Sequence, residues 1–263
     1  MHFRRAGAAM LGAVLATGLS GCGGSNASGG DGGSASGDQE IVVLAASSLT
    51  EAFGDLKRTF EANHRGVTVE LQFDSSSVLA EQIIQGSPVD VLATADEKTM
   101  KTVTDADLAA GDPQLFATNS LVIVTPPDNP GRIASIDDLG EDGVSYAACV
   151  PEAPCGHASA KLLGLSGVKA AAKTEEQNVK GVLTKVTLGE VDAGLVYKSD
   201  AQSAGDKVKT IDAGNASRAT NADPIVVLRS GRNEAAANKW VALVTGAQGQ
   251  KVLESYGFGP AAQ

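Results

Sequence analysis

The 263-residue chain carries a formal net charge of −10, with 31 acidic against 21 basic side chains and three histidines. Nucleic acid is excluded as a partner, because that binding rests on Lys and Arg neutralising phosphates. A small anion is not excluded, since N–H and O–H dipoles decide a buried site while surface charges are screened within about 10 Å.

Residues 1–21 predict an export signal. His2, Arg4 and Arg5 form its basic start, and the apolar run Ala6 to Leu19 is shorter than the ~20 residues a spanning helix needs. Leu19-Ser20-Gly21-Cys22 resembles the lipobox at which bacterial lipoprotein signals are cut. Cys22 then becomes the lipid-bearing first residue of a protein held at the outer face of the cell membrane; the competing reading is an incidental cysteine in an ordinary secretory signal. Residues 22–39, rich in Gly and Ser with no periodic apolar position, predict a flexible tether.

About 225 residues remain, enough for two compact domains or one large one. Apolar strand-like runs at Ile41 to Leu44, Val67 to Phe73 and Val89 to Ala93 alternate with helical patterns at Leu49 to Ala62 and Val78 to Gln85, which indicates parallel βαβ units. Two of the strand-to-helix turns are serine turns, Ala45-Ala46-Ser47-Ser48-Leu49-Thr50 and Phe73-Asp74-Ser75-Ser76-Ser77-Val78. Each sets hydroxyls beside the free N–H groups of a helix start, which is the chemistry of an oxyanion site. Neither has the spacing of a phosphate loop or holds a Lys or Arg, so recognition falls to neutral dipoles. The competing reading is a helix cap, because Ser48-Leu49-Thr50-Glu51 also fits a capping box.

A second α/β set follows, with strands expected at Leu121 to Thr125, Val144 to Ala148, Ala193 to Tyr197 and Val208 to Ile211, and helices at Ala158 to Leu165 and Val179 to Leu188. Pro224 to Leu228 reads as a strand, and Asn233 to Val244 and Ala247 to Tyr256 as helices that need the first sheet to pack on. Lobe I is therefore expected over residues 40–119 and 225–263, and lobe II over 120–224, with a paired hinge near Thr118 to Leu121 and Ala222 to Ile225. Two α/β lobes joined by two crossings leave a cleft outside the carboxyl ends of strands, the architecture of a type II periplasmic binding protein. Cys149 and Cys155 have five residues between them in an exported chain, so a disulfide is the default, contributing about 2 to 2.5 kcal/mol in the chain-entropy model. The rival is a zinc site, for which His157 is the one histidine nearby.

The wording of the chain resembles the periplasmic molybdate-binding proteins of ABC importers over nearly all of residues 40 to 258. The resemblance is carried by the two serine turns, by Asp90-Val91-Leu92-Ala93-Thr94-Ala95-Asp96 and Asn119-Ser120-Leu121-Val122, and by Leu195-Val196-Tyr197-Lys198-Ser199-Asp200 and Tyr256-Gly257-Phe258. It implies a ligand-binding protein, not an enzyme, that holds molybdate or tungstate without a cofactor and delivers it, as a monomer, to a membrane permease with a cytoplasmic ATPase. The oxyanion contacts it implies are the Ser48 and Ser76 hydroxyls, backbone N–H groups at Cys155 and Val179, and the Tyr197 hydroxyl. Molybdenum would be held only through its oxygens, with no direct protein–metal ligand. By residue type alone Tyr197 and Val179 read as core. Gly156 is expected to let the backbone approach the ligand, and a disulfide at Cys155, where the family often has a small residue, to preorganise its turn.

A lining without acceptors would offer nothing to the proton of hydrogenphosphate. Asp74 sits oddly in that scheme, since a carboxylate repels a dianion unless it points away or caps locally. The rival readings are a binder of another tetrahedral oxyanion such as sulfate, a lobe pair that reports to a sensor, and an exported serine hydrolase using Ser48 or Ser76 with His157. No Gly-x-Ser-x-Gly or Ser-x-x-Lys motif supports the last.

Overall fold

The computed structural model describes residues 39–261. The expected export signal over residues 1–21, Cys22 and the tether as far as Asp38 lie outside the described residues, and Gln39 already opens the first strand.

In chain order the first elements are β1 (Gln39–Ala46), α1 (Thr50–Asn63), β2 (Val67–Asp74), α2 (Ser76–Ile84), β3 (Val91–Ala93), α3 (Glu97–Asp105), β4 (Gln114–Asn119) and β5 (Leu121–Thr125). They are followed by β6 (Tyr146–Cys149), α4 (Pro154–Ser166), β7 (Thr174–Glu176), α5 (Val179–Thr187), β8 (Ala193–Tyr197), α6 (Lys198–Ala204), β9 (Lys209–Ile211), β10 (Asn221–Val227), α7 (Glu234–Thr245) and α8 (Ala247–Ser255). The strands form two five-stranded sheets, ordered β2-β1-β3-β10-β4 and β7-β6-β8-β5-β9. Only Ser120 separates β4 in the first sheet from β5 in the second, and the chain returns to the first sheet between β9 and β10.

The parallel pairing expected from the alternating pattern holds for β1 with β2 and β3, and for β6 with β7 and β8. Strands next to the crossings differ: β10 runs antiparallel to β3 and β4, and β5 antiparallel to β8 and β9. The chain leaves the first sheet through β4 and comes back through β10, so these neighbours run in opposite directions. Within β10 the register shifts between Asp223 and Pro224, where proline has no N–H to give the ladder.

Successive side chains of a strand point to opposite faces, and this alternation divides the core of the first sheet. Ile41, Val43 and Ala45 fall on one face with Val91 and Ala93, while Leu44 and Leu92 fall on the other. Against the first face α1 sets Phe53 and Phe60, and α7 sets Trp240, whose ring meets theirs edge-on at 5.5 and 5.6 Å. Against the second, Leu79 and Ile83 of α2 pack with Met100 and Val103 of α3. Each such buried side chain contributes about 1.5–3 kcal/mol, so the parallel strands are clamped from both sides and their carboxyl ends are held in place.

Helix α4 begins at Pro154, four residues before the expected start at Ala158. Proline suits a first helical position because its missing N–H has no intrahelical partner there. This earlier start has a functional consequence: it puts Cys155 in the first turn, where backbone N–H groups are free.

Candidate functional site

The carboxyl ends of parallel strands from both sheets converge on one small cavity. β1 delivers Ala46, Ser47 and Ser48; β2 delivers Asp74, Ser75 and Ser76; β3 delivers Ala95; β6 delivers Pro154 and Cys155; β7 delivers Asn178 and Val179; and β8 ends on Tyr197. The structure thus brings Ser48, Ser76, Cys155, Val179 and Tyr197 together around one space. A larger groove of about 470 Å³ between α2, α3 and the loop at Pro151 and Glu152 contains none of the five.

The helix starts at the cavity account for its donors. Helices α1, α2 and α4 have no side-chain cap, and the first-turn N–H groups of a helix have no acceptor within it. The capping-box reading of Ser48 is therefore overturned: Ser47–Leu49 form a short 3-10 turn, Leu49 is the N-cap of α1, and the buried Ser48 hydroxyl has no hydrogen-bond partner among the described residues. The Ser76 hydroxyl accepts from Ala95 N–H at 3.0 Å, and the Tyr197 hydroxyl accepts from Asn221 Nδ2 at 2.6 Å. Each keeps its own proton to give. Burial first, then the neighbouring Asp223, Asp96 and Asp200, push the Tyr197 phenol well above its ordinary pKa, so it stays a neutral donor.

Helix α5 alone among these carries a cap. Asn178 Oδ1 accepts from Gly181 N–H at 3.1 Å, leaving Val179 as the first residue of the helix with its side chain in the core. On the neighbouring wall Cys149 and Cys155 are joined in a disulfide that ties the end of β6 to the first turn of α4, so these sulfurs are not zinc ligands. Among the described residues no group of three or more His, Cys, Asp or Glu side chains is placed to hold a metal ion. Gly156 has a structural reason of its own: a Cβ there would stand 1.9 Å from the Val150 carbonyl oxygen, so the return of the disulfide loop demands glycine.

The cavity is not free of acceptors, which corrects the donor-only lining. Asp74 is in its wall, and its Oδ1 accepts from Ser75 N–H at 2.7 Å and from Asn178 Nδ2 at 2.9 Å. Two donors on one oxygen disperse its charge, and the second bond joins the end of β2 to the start of α5. A second tie lies close by. Lys180 Nζ reaches Glu51 of α1 at 2.8 Å and the fully buried Asp200 of α6 at 3.0 Å. Burial works against the Lys180 charge, but Asp200 and Glu51 outweigh it and raise its pKa; burial raises Asp200 to about 6, with Lys180 pulling the other way. Lys180, which follows the lining residue Val179, is thus occupied by carboxylates. Asp223 is fully buried, neither of its carboxyl oxygens has a hydrogen-bond partner among the described residues, and burial and then Asp96 push its carboxyl well above the carboxylate range.

His157 has its partners elsewhere. Its ring stands 3.3 Å from Asp96 and 2.9 Å from Lys98 Nζ, while neither Ser48 nor Ser76 bonds a histidine. A serine nucleophile needs an adjacent base, so the hydrolase reading loses its catalytic pair. Sequence reasoning missed Asn221, Lys180 and Asp200, and placed Asp74 without a partner.

Two α/β sheets joined by two crossings, with a small cavity walled by strand ends from both, define a solute-binding protein of the type II periplasmic fold. The chain belongs to the bacterial extracellular solute-binding protein family, whose model matches residues 41–259. The molybdate-binding protein ModA of Mycobacterium tuberculosis H37Rv is 40% identical over 249 residues, 95% of each chain. Among solved structures, the substrate-binding domain of a putative molybdenum ABC transporter from Clostridium difficile is 28% identical with a TM-score of 0.63, covering 85% of this chain and 99% of that one. The periplasmic molybdate-binding protein of Azotobacter vinelandii shares the fold, with a TM-score of 0.75 at 20% identity over 84% of this chain and all of the other.

Proposed function

We propose that the protein captures molybdate, with tungstate as an equivalent ligand, and hands it to an ABC permease. The observation that carries this reading is the donor set of the cavity: three hydroxyls and the first-turn N–H groups of two helices, with the neighbouring Lys180 already paired. Ser48, Ser76 and Tyr197 give O–H groups to ligand oxygens, and Cys155 and Val179 give backbone N–H groups. A tetrahedral dianion needs such donors on all sides, and molybdenum itself touches no protein atom.

Residues 40–119 and the chain from Asn221 onward act as one lobe, because β10 pairs in the first sheet from Asn221 rather than from the expected residue 225, and residues 120–220 act as the other. Only the closed form supplies donors from both, so the ligand stabilises closure by its differential affinity for that state. Closure is then what the permease reads. Binding rather than catalysis is the output, and the protein works as a monomer held outside the cell by a lipid on Cys22. Intact mass of the membrane-extracted protein checks the anchor; an unlipidated soluble protein counts against it.

Isothermal titration with molybdate, tungstate and sulfate tests the ligand. The expected result is sub-micromolar binding of the first two at similar strength and far weaker binding of the smaller sulfate. Sulfate bound as tightly as molybdate would overturn the assignment.

A further inference from the structure

Two of the hydroxyls assigned above are linked through a residue that neither serine turn contains. Asn221, the first residue of β10, sets its side-chain amide 2.8 Å from the Ala95 carbonyl oxygen and 2.6 Å from the Tyr197 hydroxyl oxygen. A carbonyl oxygen only accepts, so the amide atom facing it is the Nδ2 donor. The same nitrogen has no lone pair to offer and must donate to Tyr197 as well. Ala95 passes the link on, because its own N–H donates to Ser76 Oγ at 3.0 Å. A continuous path therefore runs from a cavity hydroxyl of the first sheet to a cavity hydroxyl of the second, and both of its ends receive an N–H.

A hydroxyl has one proton and two lone pairs. Once an N–H occupies the oxygen, its proton is turned away from that donor, and for Ser76 and Tyr197 the other side is the cavity. Asp223, whose charge acts on the phenol, does not take its proton, since neither of its oxygens has a hydrogen-bond partner among the described residues. A hydroxyl free to rotate can either give or accept a proton, and so can serve a protonated anion as well as a bare one. A hydroxyl fixed as a donor cannot.

We propose that Asn221 is a positioning residue that sets specificity: by donating to Tyr197 and Ala95 together it holds the Tyr197 and Ser76 hydroxyls as donors and biases the site toward fully deprotonated oxyanions. This rests on the oxyanion-binding reading above. Asn221 does not touch the ligand; it acts through Tyr197 and, by way of Ala95, through Ser76.

The test is a double-mutant cycle read by titration with molybdate, using wild type, Asn221→Ala, Tyr197→Phe and the double variant, with thermal unfolding of each ligand-free protein as the check on folding. Asn221→Ala is expected to weaken molybdate about tenfold, and by less than about threefold when Tyr197 is already Phe, because no phenol hydroxyl is left to orient. Asn221→Asp should lose more than Asn221→Ala, since a carboxylate draws the Tyr197 proton away from the cavity. The second readout is the molybdate-to-phosphate affinity ratio near pH 7, which should narrow in Asn221→Ala; a merely structural role lowers both affinities and leaves the ratio unchanged. If Asn221→Ala does not fold, Asn221→Ser takes its place in the same cycle. Additive losses, or an unchanged ratio, overturn the inference while leaving molybdate binding by the wild type intact. A wild type that ignores molybdate overturns the functional reading and this inference with it.

Discussion

The two serine turns are nearly the same phrase in the sequence and are built differently in the structure. The Ser48 turn is a short 3-10 segment whose hydroxyl is buried without a partner, and its tie to the second sheet is ionic, through Glu51, Lys180 and Asp200. The Ser76 turn opens a regular helix, its hydroxyl already holds the Ala95 N–H, and its ties to the second sheet are hydrogen bonds through Asp74 to Asn178 and through Ala95 and Asn221 to Tyr197. One turn keeps a polar group in reserve while the other has committed half of its group to the fold. A hydroxyl at a helix start can thus serve a ligand at a cost to stability or serve both, and only its partners tell which.

The ionic tie gives the largest expected effect. Lys180→Met leaves Asp200 fully buried without its cation, and breaking such a pair costs about 3–5 kcal/mol. The Asp200 carboxyl is raised from 3.8 to about 6 in the folded protein, so the stability it contributes is fully present below 3.8 and is lost as pH rises through about 6. Removing Lys180 drives that carboxyl higher and deepens the loss at neutral pH, whereas at pH 5 most of Asp200 is already protonated. Urea unfolding of wild type and variant at pH 5 and pH 7.5 should therefore show the larger difference at pH 7.5. An equal cost at both would mean that Asp200 is not what Lys180 neutralises.

The comparison between the turns themselves comes next in size. Ser76→Ala strands the buried Ala95 N–H and should lower the stability of the ligand-free protein by about 1–3 kcal/mol. Ser48→Ala removes a buried hydroxyl that bonds nothing among the described residues, so ligand-free stability should not fall. Both remove a donor to a charged acceptor and should weaken molybdate by about 1–3 kcal/mol. Unfolding curves and titrations on the same preparations separate the two. Equal destabilisation by both variants would erase the distinction drawn between the turns.

Much of this architecture is legible locally. The strand runs from Ile41 and Val67, the serine turns and the Asn178 cap stand in the sequence because hydrophobic alternation and helix-start chemistry act within a few residues. Helix α3 was within reach, since Asp96 accepts from Thr99 N–H, but only Met100 and Val103 mark its apolar side. Helix α6 is short and polar, and it hides Asp200. The ties that hold the cavity join residues far apart in the chain: Lys180 with Glu51 at a separation of 129, Asn178 with Asp74 at 104 and Asn221 with Ala95 at 126. Nothing local announces such pairs, because each residue alone reads as a solvated surface group. Cys155 lines the cavity, and the turn expected around it is the first turn of α4.

The smallest expected effect is also the one that separates main chain from side chain at the cavity. Val179 lines the space, yet its side chain is 1% exposed and packs in the core with Val182 and Val186 of the same helix. In the proposed reading what it offers a ligand is its N–H, next to the Asn178 cap and the tie from Asn178 to Asp74. Val179→Ala keeps that N–H and deletes two methyl groups, so it should cost about 1–3 kcal/mol in stability and change molybdate affinity by less than about twofold, the size of ordinary coupling error. Tyr197→Phe should do the reverse, losing affinity while the core keeps its ring. Titration and unfolding of the two variants side by side give the answer. If folded Val179→Ala loses as much affinity as Tyr197→Phe, the donor at this wall is not the backbone, and the distinction between groups held for the fold and groups held for the ligand has to be redrawn from α5 outward.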